Sequence, residues 1–349
     1  MVDRATVVIA IKPVSEPSNA FVGAFSDSLR HEGFQVVSFD WGSLASRPPD
    51  VAILHWPYEL TGLGGLFSGL WRLVRLYGAI AFARRKGMRL VWVAHNAQPH
   101  ESGRASKFLM RRFVGKLDGI IHLSEYSRAL IHRTYRVPPR IREVITVHGH
   151  YLASMATRPT PPRPLGDRVK LAYFGQVRRY KNLEALAAGA ATVGDDGVDL
   201  TITGRKSDAG LVGEIEGIAA QSSNIVLDLR DSVLPDAEIE AAIDAADGIV
   251  LPYRAILNSG AALFALSRAR PILAPRMGSL PELQAIVGDD WVRLCDGEID
   301  AAALRDFAAW LRSTPRSGAP ILSALDWSLV GRDVASLVDQ LVVDKQGGR

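Results

Sequence analysis

Cysteine is almost missing from this chain: Cys295 is the only one in 349 residues. An internal disulfide framework is therefore excluded, and the usage fits a reducing cytosol. Long hydrophobic runs are missing too. No stretch reaches the roughly 18–20 uninterrupted apolar residues of a membrane span, and the apolar run in MVDRATVVIAIKP is shorter than a signal peptide needs, so it reads as a first strand. Internal repeats and low-complexity tracts are not found. Metal-ligand spacing is also lacking, so no metal and no cofactor are expected. The formal charge of +4 is small, but it hides an asymmetry. The first 150 residues hold 20 Lys and Arg against 11 Asp and Glu, and the remainder hold 21 against 26. A basic first half suits an anionic lipid, nucleic acid or phosphorylated substrate, or is simply arginine on solvated helix faces.

What is present is an alternation of strands and helices over a length that predicts about two domains. Expected strands are Thr6–Ile11, Phe34–Phe39, Asp50–His55, Arg89–Ala94, Gly119–Leu123 and Ile145–His148, with a helix over Ala20–His31. A proline-rich linker, Arg158–Pro164, follows, because it suits neither a helix nor a central strand. The pattern then restarts with Val169–Phe174, a helix from Leu183, Asp199–Thr203, Ile225–Leu229, Ile249–Leu251, and Pro271–Ala274. Closing helices are expected at Ala302–Leu311 and Trp327–Val342. Such alternation implies parallel sheets, with ligands beyond the C-terminal strand ends.

Several groups fall at those ends. Asn258, Ser259 and Gly260 open a helix, where free N–H groups and the helix dipole favour an anion; a plain helix cap is the other reading. Ser259 would add a hydroxyl donor. Gly175, Arg178 and Lys181 sit just before another helix start, a suitable seat for a diphosphate or else a basic solvated turn. His55 and Trp56 end one strand. His95-Asn-Ala-Gln-Pro-His-Glu101 ends the next, with imidazoles suited to proton transfer near neutral pH. Between them, Gly62–Gly87 has an apolar stripe at helical spacing, with Arg72, Arg75 and Arg84–Lys86 on its other side. That segment fits either an interfacial membrane helix or a helix crossing a sheet.

The motifs His55-Trp-Pro, His95-Asn-x-x-Pro-His-Glu101, Phe174-Gly-Gln-x-Arg-x-Tyr-Lys-Asn182, Leu251-Pro-Tyr253, Asn258-Ser-Gly260 and Gly278-Ser-Leu-Pro-Glu-Leu283 occur in that order. Together they resemble the GT-B glycosyltransferases, in particular bacterial enzymes distantly related to glycosyltransferase family 4 that build exopolysaccharides and lipid-linked glycans. The resemblance implies two Rossmann-like doubly wound α/β domains facing a cleft. Acceptor binding is assigned to 1–157 and nucleotide-sugar binding to 165–325, with 326–349 bracing the first domain. It places Gly175, Arg178, Lys181, Tyr253, Asn258, Ser259, Gly260 and Glu282 at the donor, and His55, Trp56 and Asn96 on the acceptor side.

One departure bears on mechanism. Retaining relatives carry two glutamates where this chain has Ile256 and Phe264, so inversion is expected instead, with basic groups rather than a metal neutralising the diphosphate. The base is sought among His100, Glu101 and His95, ahead of Asp27 and Glu125. The implied reaction moves a hexosyl group from a nucleotide diphosphate sugar to a lipid-linked saccharide. The enzyme would be cytoplasmic and peripheral, held to anionic lipid by residues 62–87, with no nucleic-acid partner. A nucleotide-sugar 2-epimerase and a non-catalytic nucleotide-sugar-binding protein share the fold and are the alternatives.

Overall fold

The structure is a computed structural model, and it describes residues 2–15, 19–39, 48–56, 77–78, 80–96, 104–314, 316 and 318–347. The chain divides into two compact units, residues 1–149 with 325–349, and residues 150–324.

The first unit holds a six-stranded parallel sheet in the order β2-β1-β3-β4-β5-β6. Its strands are β1 (Val8–Lys12), β2 (Gln35–Ser38), β3 (Val51–Leu54), β4 (Arg89–Val93), β5 (Gly119–His122) and β6 (Arg142–Ile145). Central strands such as β3 and β5 are buried along their whole length, which explains their unbroken apolar sequences. The last strand lies three residues earlier than the sequence suggests. As a half-exposed edge strand, β6 tolerates Arg142 and Glu143, whereas the expected His148 lies outside it.

Helix α1 (Ala20–His31), capped by the Asn19 side chain, buries Phe21, Val22, Phe25 and Leu29 against this sheet. The C-terminal helix, Trp327–Gly347, packs on the same core through Val334, Leu337, Val338 and Leu341. Arg4 ties the two helices from the sheet's edge, bonding Glu32 at 2.6 Å and Asp339 at 2.8 Å. Most of the 62–87 segment lies outside the described residues. Of the described part, Ile80 and Ala83 are buried in a core with Leu90 and Trp92, as a sheet-crossing helix requires, and Tyr77 is exposed. Among the described residues no helix is long and apolar enough to cross a membrane.

The second unit repeats the plan in the order β12-β11-β10-β7-β8-β9, again all parallel. The strands are β7 (Val169–Phe174), β8 (Val198–Arg205), β9 (Ile225–Arg230), β10 (Gly248–Val250), β11 (Ile272–Pro275) and β12 (Val292–Cys295). The edge strand β12 was not legible in the sequence, because Arg293 interrupts a four-residue run. The stretch read as a linker belongs to this unit. Buried Arg268 donates to the carbonyls of Thr157 and Arg158, and Arg270 donates to that of Thr160. The proline segment is thus pinned to the sheet rather than free.

Candidate functional site

In each sheet the strand order reverses at one place, and a parallel sheet opens a crevice there at its carboxyl ends. In the second unit the reversal falls between β7 and β10. The loops that leave these strands carry Gly175–Lys181 and Tyr253–Gly260.

Gly175 has φ of +124°, which an L side chain rarely adopts. Its carbonyl also lies where a side chain on Gly204 would sit: a Cβ there would be 1.8 Å from the Gly175 oxygen. Two glycines therefore let the β7 loop lie flat against the end of β8. The chain then makes one 3-10 turn, Arg179–Lys181, and enters helix α2 (Leu183–Thr192) through Asn182, a left-handed residue at φ 56°. That turn aims Lys181 back across the strand ends.

The Lys181 ammonium lies among three phenol rings: Tyr173 at 5.6 Å, Tyr253 at 5.7 Å and Tyr180 at 5.9 Å from the ring centroids. No carboxylate pairs with it among the described residues. Burial, followed by the nearby Arg178 charge, pushes its pKa down to about 8. A cation held in aromatic surroundings without an anion is suited to take one from a ligand. Arg178, exposed one turn away, is oriented by the Gln176 side chain at 2.8 Å.

On the β10 side, Ser259 caps helix α3 (Gly260–Ser267). Its hydroxyl accepts from the Ala262 N–H at 3.1 Å and lies 2.9 Å from the Tyr253 hydroxyl. The hydroxyl expected as a donor thus also caps its own helix, and the turn adds backbone N–H groups beside it. The Gly278 loop locks against it: Gly278, at φ +60°, has no space for a Cβ beside the Ile256 carbonyl, and the Ser279 N–H donates to Leu257 at 2.9 Å. Glu282 lies in the first turn of the helix that follows, Leu280–Val287. Phe264 packs beside Tyr151 and Phe174 at 5.5 and 5.9 Å.

In the first unit the order reverses between β1 and β3. His55 and Trp56 follow β3, and His95 and Asn96 follow β4. His55 Nδ1 and His95 Nε2 are 2.8 Å apart. Around them lie Phe21, edge-on to His95 at 4.8 Å, and Trp56, stacked on it at 5.1 Å. His148 meets the same Phe21 ring at 4.6 Å, and Trp327 does so at 5.1 Å. Burial lowers the pKa of His55 to about 3 and that of His148 to about 4. It holds His95 well below the ordinary value, helped by the other two imidazoles. All three rings are neutral near pH 7, so each keeps a lone pair able to accept a hydrogen bond.

His100 and Glu101 lie outside the described residues. Asp27 is exposed on α1 and bonded to Arg30 at 2.6 Å, away from this group. Sequence reasoning missed the part of Tyr173 and Tyr180 around Lys181, although Tyr180 lies within the quoted motif and Tyr173 immediately precedes it. It also missed Phe21 and Trp327, which lie within the expected helices Ala20–His31 and Trp327–Val342. Among the described residues, no three metal-ligating side chains converge.

No family model matches the chain. It is 29% identical over 329 residues to a GDP-mannose:glycolipid 4-beta-D-mannosyltransferase of Xanthomonas campestris pv. campestris, covering 94% of this chain and 90% of that protein. Among solved structures it resembles a sucrose-phosphate synthase from Thermosynechococcus elongatus with a TM-score of 0.68 at 14% identity, covering 97% and 99% of the two chains. It also resembles Anabaena Alr3699/HepE, solved in complex with UDP, with a TM-score of 0.60 at 11% identity and coverage of 98% and 97%. The fold is GT-B, two Rossmann-like domains. Taken with the full-length sequence relationship, the chain is a glycosyltransferase, distantly related to the mannosyltransferase.

Proposed function

We propose that the protein transfers mannose from GDP-mannose to a lipid-linked saccharide, with inversion and without a metal. The observation that carries this reading is Lys181, an enclosed ammonium with no carboxylate partner among the described residues, at the switch point of the second sheet. A nucleoside diphosphate would supply the missing charge. Arg178, the α3 N-terminus and the backbone at Gly260 would share it, which is the work a metal does elsewhere.

The relationship to the glycolipid mannosyltransferase supports this donor and acceptor class. A β-linked product from an α-linked nucleotide donor needs a single displacement. The acceptor oxygen bonds to the anomeric carbon as that carbon's bond to the diphosphate breaks, and the hydroxyl proton passes to a base. His95, set beside His55 at the end of β4, is a candidate for that role, with His100 and Glu101 as the others. Ile256 and Phe264 in place of two glutamates favour inversion. The basic first half supports peripheral attachment to anionic lipid on the cytoplasmic side, through the 62–87 segment.

The test is incubation of purified protein with labelled GDP-mannose and lipid-extracted acceptor. Label in the lipid phase, lost in Lys181→Ala, is expected. Conversion of the nucleotide sugar to its epimer with no acceptor present would overturn the reading. Sedimentation with anionic vesicles at low salt tests the membrane part, and no binding there would remove it.

A further inference from the structure

The second unit has another concave site, at the opposite pole of its sheet. A cavity of about 560 Å³ opens where the chain enters β7, β10 and β11, walled by Pro164, Pro271 and Leu311. Four arginines line it: Arg163, Arg270, Arg312 and Arg316. Asp247 is the only carboxylate in the lining, and one of its oxygens already accepts the Lys170 N–H at 2.8 Å. The lining therefore carries an excess of positive charge.

How the guanidiniums are held matters more than their number. Arg270 is buried and donates to the carbonyls of Ala246, Thr160 and Asp244, so it is a fixed structural charge. Among the described residues, Arg312 meets only the carbonyls of Gly166 and Asp167, at 3.2 and 2.8 Å. Arg316 lies flat on Trp310, 4.1 Å from the ring centroid, with Trp291 at 5.9 Å. Its Nε and one terminal nitrogen donate to the Asp290 and Thr314 carbonyls. The other terminal nitrogen is buried and meets no partner among the described residues. Among the described residues, none of Arg163, Arg312 and Arg316 forms an ion pair with a carboxylate. A buried guanidinium N–H left without an acceptor is costly, and an oxyanion would satisfy it. Burial pushes the Arg316 pKa down to about 10, against an opposing pull from the Asp290 charge.

We propose that this arginine-lined cavity is a second anion site, separate from the donor loops, that takes a phosphate-bearing ligand between Arg312 and Arg316. Its size is that of a small-ligand pocket, and its apolar walls leave space for a group attached to the phosphate. The phosphate can come from a soluble molecule or from the headgroup of an anionic lipid.

Inorganic pyrophosphate is the probe, titrated calorimetrically into full-length Lys181→Ala protein so that the donor loop does not contribute. Saturable binding that perturbs tryptophan fluorescence is expected. Adding Arg316→Gln or Arg312→Gln should weaken it about tenfold or more, the loss of one charge-assisted hydrogen bond. In otherwise wild-type protein, Arg316→Gln should leave GDP binding unchanged. Arg312 is exposed and, among the described residues, bonds only carbonyls, so Arg312→Gln carries the test if the Arg316 variant does not fold. No binding in Lys181→Ala, or affinity unchanged in both arginine variants, would overturn the proposal. Arginine-dependent sedimentation with vesicles of phosphatidylcholine and phosphatidic acid assigns the site to a headgroup. Pyrophosphate binding without sedimentation assigns it to a soluble phosphate.

Discussion

His55 Nδ1 and His95 Nε2 face each other at 2.8 Å, and one proton can lie between two neutral imidazoles at that distance. If His95 donates, its Nδ1 is left with a lone pair, and His55 is the partner that sets that tautomer. His95→Ala is expected to lower kcat by about 10²–10⁴, the usual contribution of a general base, while GDP binding is unchanged. His55→Leu should lower kcat by less and leave the donor KM alone. Steady-state kinetics on both variants checks this. Wild-type kcat in His95→Ala would move the base to His100 or Glu101.

The same rings predict acid sensitivity. His55 and His148 have folded pKa values of about 3 and 4, below the ordinary 6.5 of an unfolded chain. Between those values the unfolded state binds the extra proton. Stability is therefore full above pH 6.5 and falls as the pH drops below it. By pH 5 each of these histidines should have removed about 2 kcal/mol. Urea unfolding at pH 7 and pH 5 measures the loss, and His148→Phe should reduce it.

Gly204→Ala tests the flat seat of the β7 loop. The new methyl would meet the Gly175 carbonyl, which is backbone and cannot rotate away. We expect a loss of about 1–3 kcal/mol in denaturant unfolding, together with weaker GDP binding as the Gly175–Lys181 loop shifts.

Arg268 tests the pinned proline segment. It is 1% exposed and lies 3.2 Å from Glu240, which is fully buried, with Asp244 close by. Arg268→Ala leaves Glu240 buried without its cation and should cost about 3–5 kcal/mol. The paired change Arg268→Met with Glu240→Leu should cost less than Arg268→Ala alone, read by the midpoint of urea unfolding.

Much of this architecture was legible in the sequence, because buried parallel strands such as Val51–Leu54 and Gly119–His122 have unbroken apolar runs and clear turn signals. Half-exposed edge strands were harder. Polar residues interrupt β6 and β12, so one was placed late and the other missed. The motifs located the loops around Lys181 and Ser259, since glycine and basic residues at a strand end have few other reasons to occur together. They did not reveal that Tyr173, Tyr180 and Tyr253 surround one ammonium, because that requires the β7 loop to fold back on itself and meet the β10 loop. The helix cap at Ser259 was one of the two readings the sequence offered, but nothing in it showed that Arg268 and Arg270 hold the supposed linker.

The most direct test of the central claim is calorimetric titration of GDP into wild-type protein and Lys181→Ala across pH 7 to 9.5. The Lys181 pKa is depressed to about 8, so its charge is present below that pH and lost above it. Affinity in the wild type is predicted to hold up to about pH 8 and then to fall by up to about tenfold per pH unit. Lys181→Ala should bind at least about tenfold more weakly at pH 7 and should not show the alkaline fall. Equal affinity of the two proteins at pH 7 would contradict the account, because the enclosed ammonium would then have no part in holding the donor.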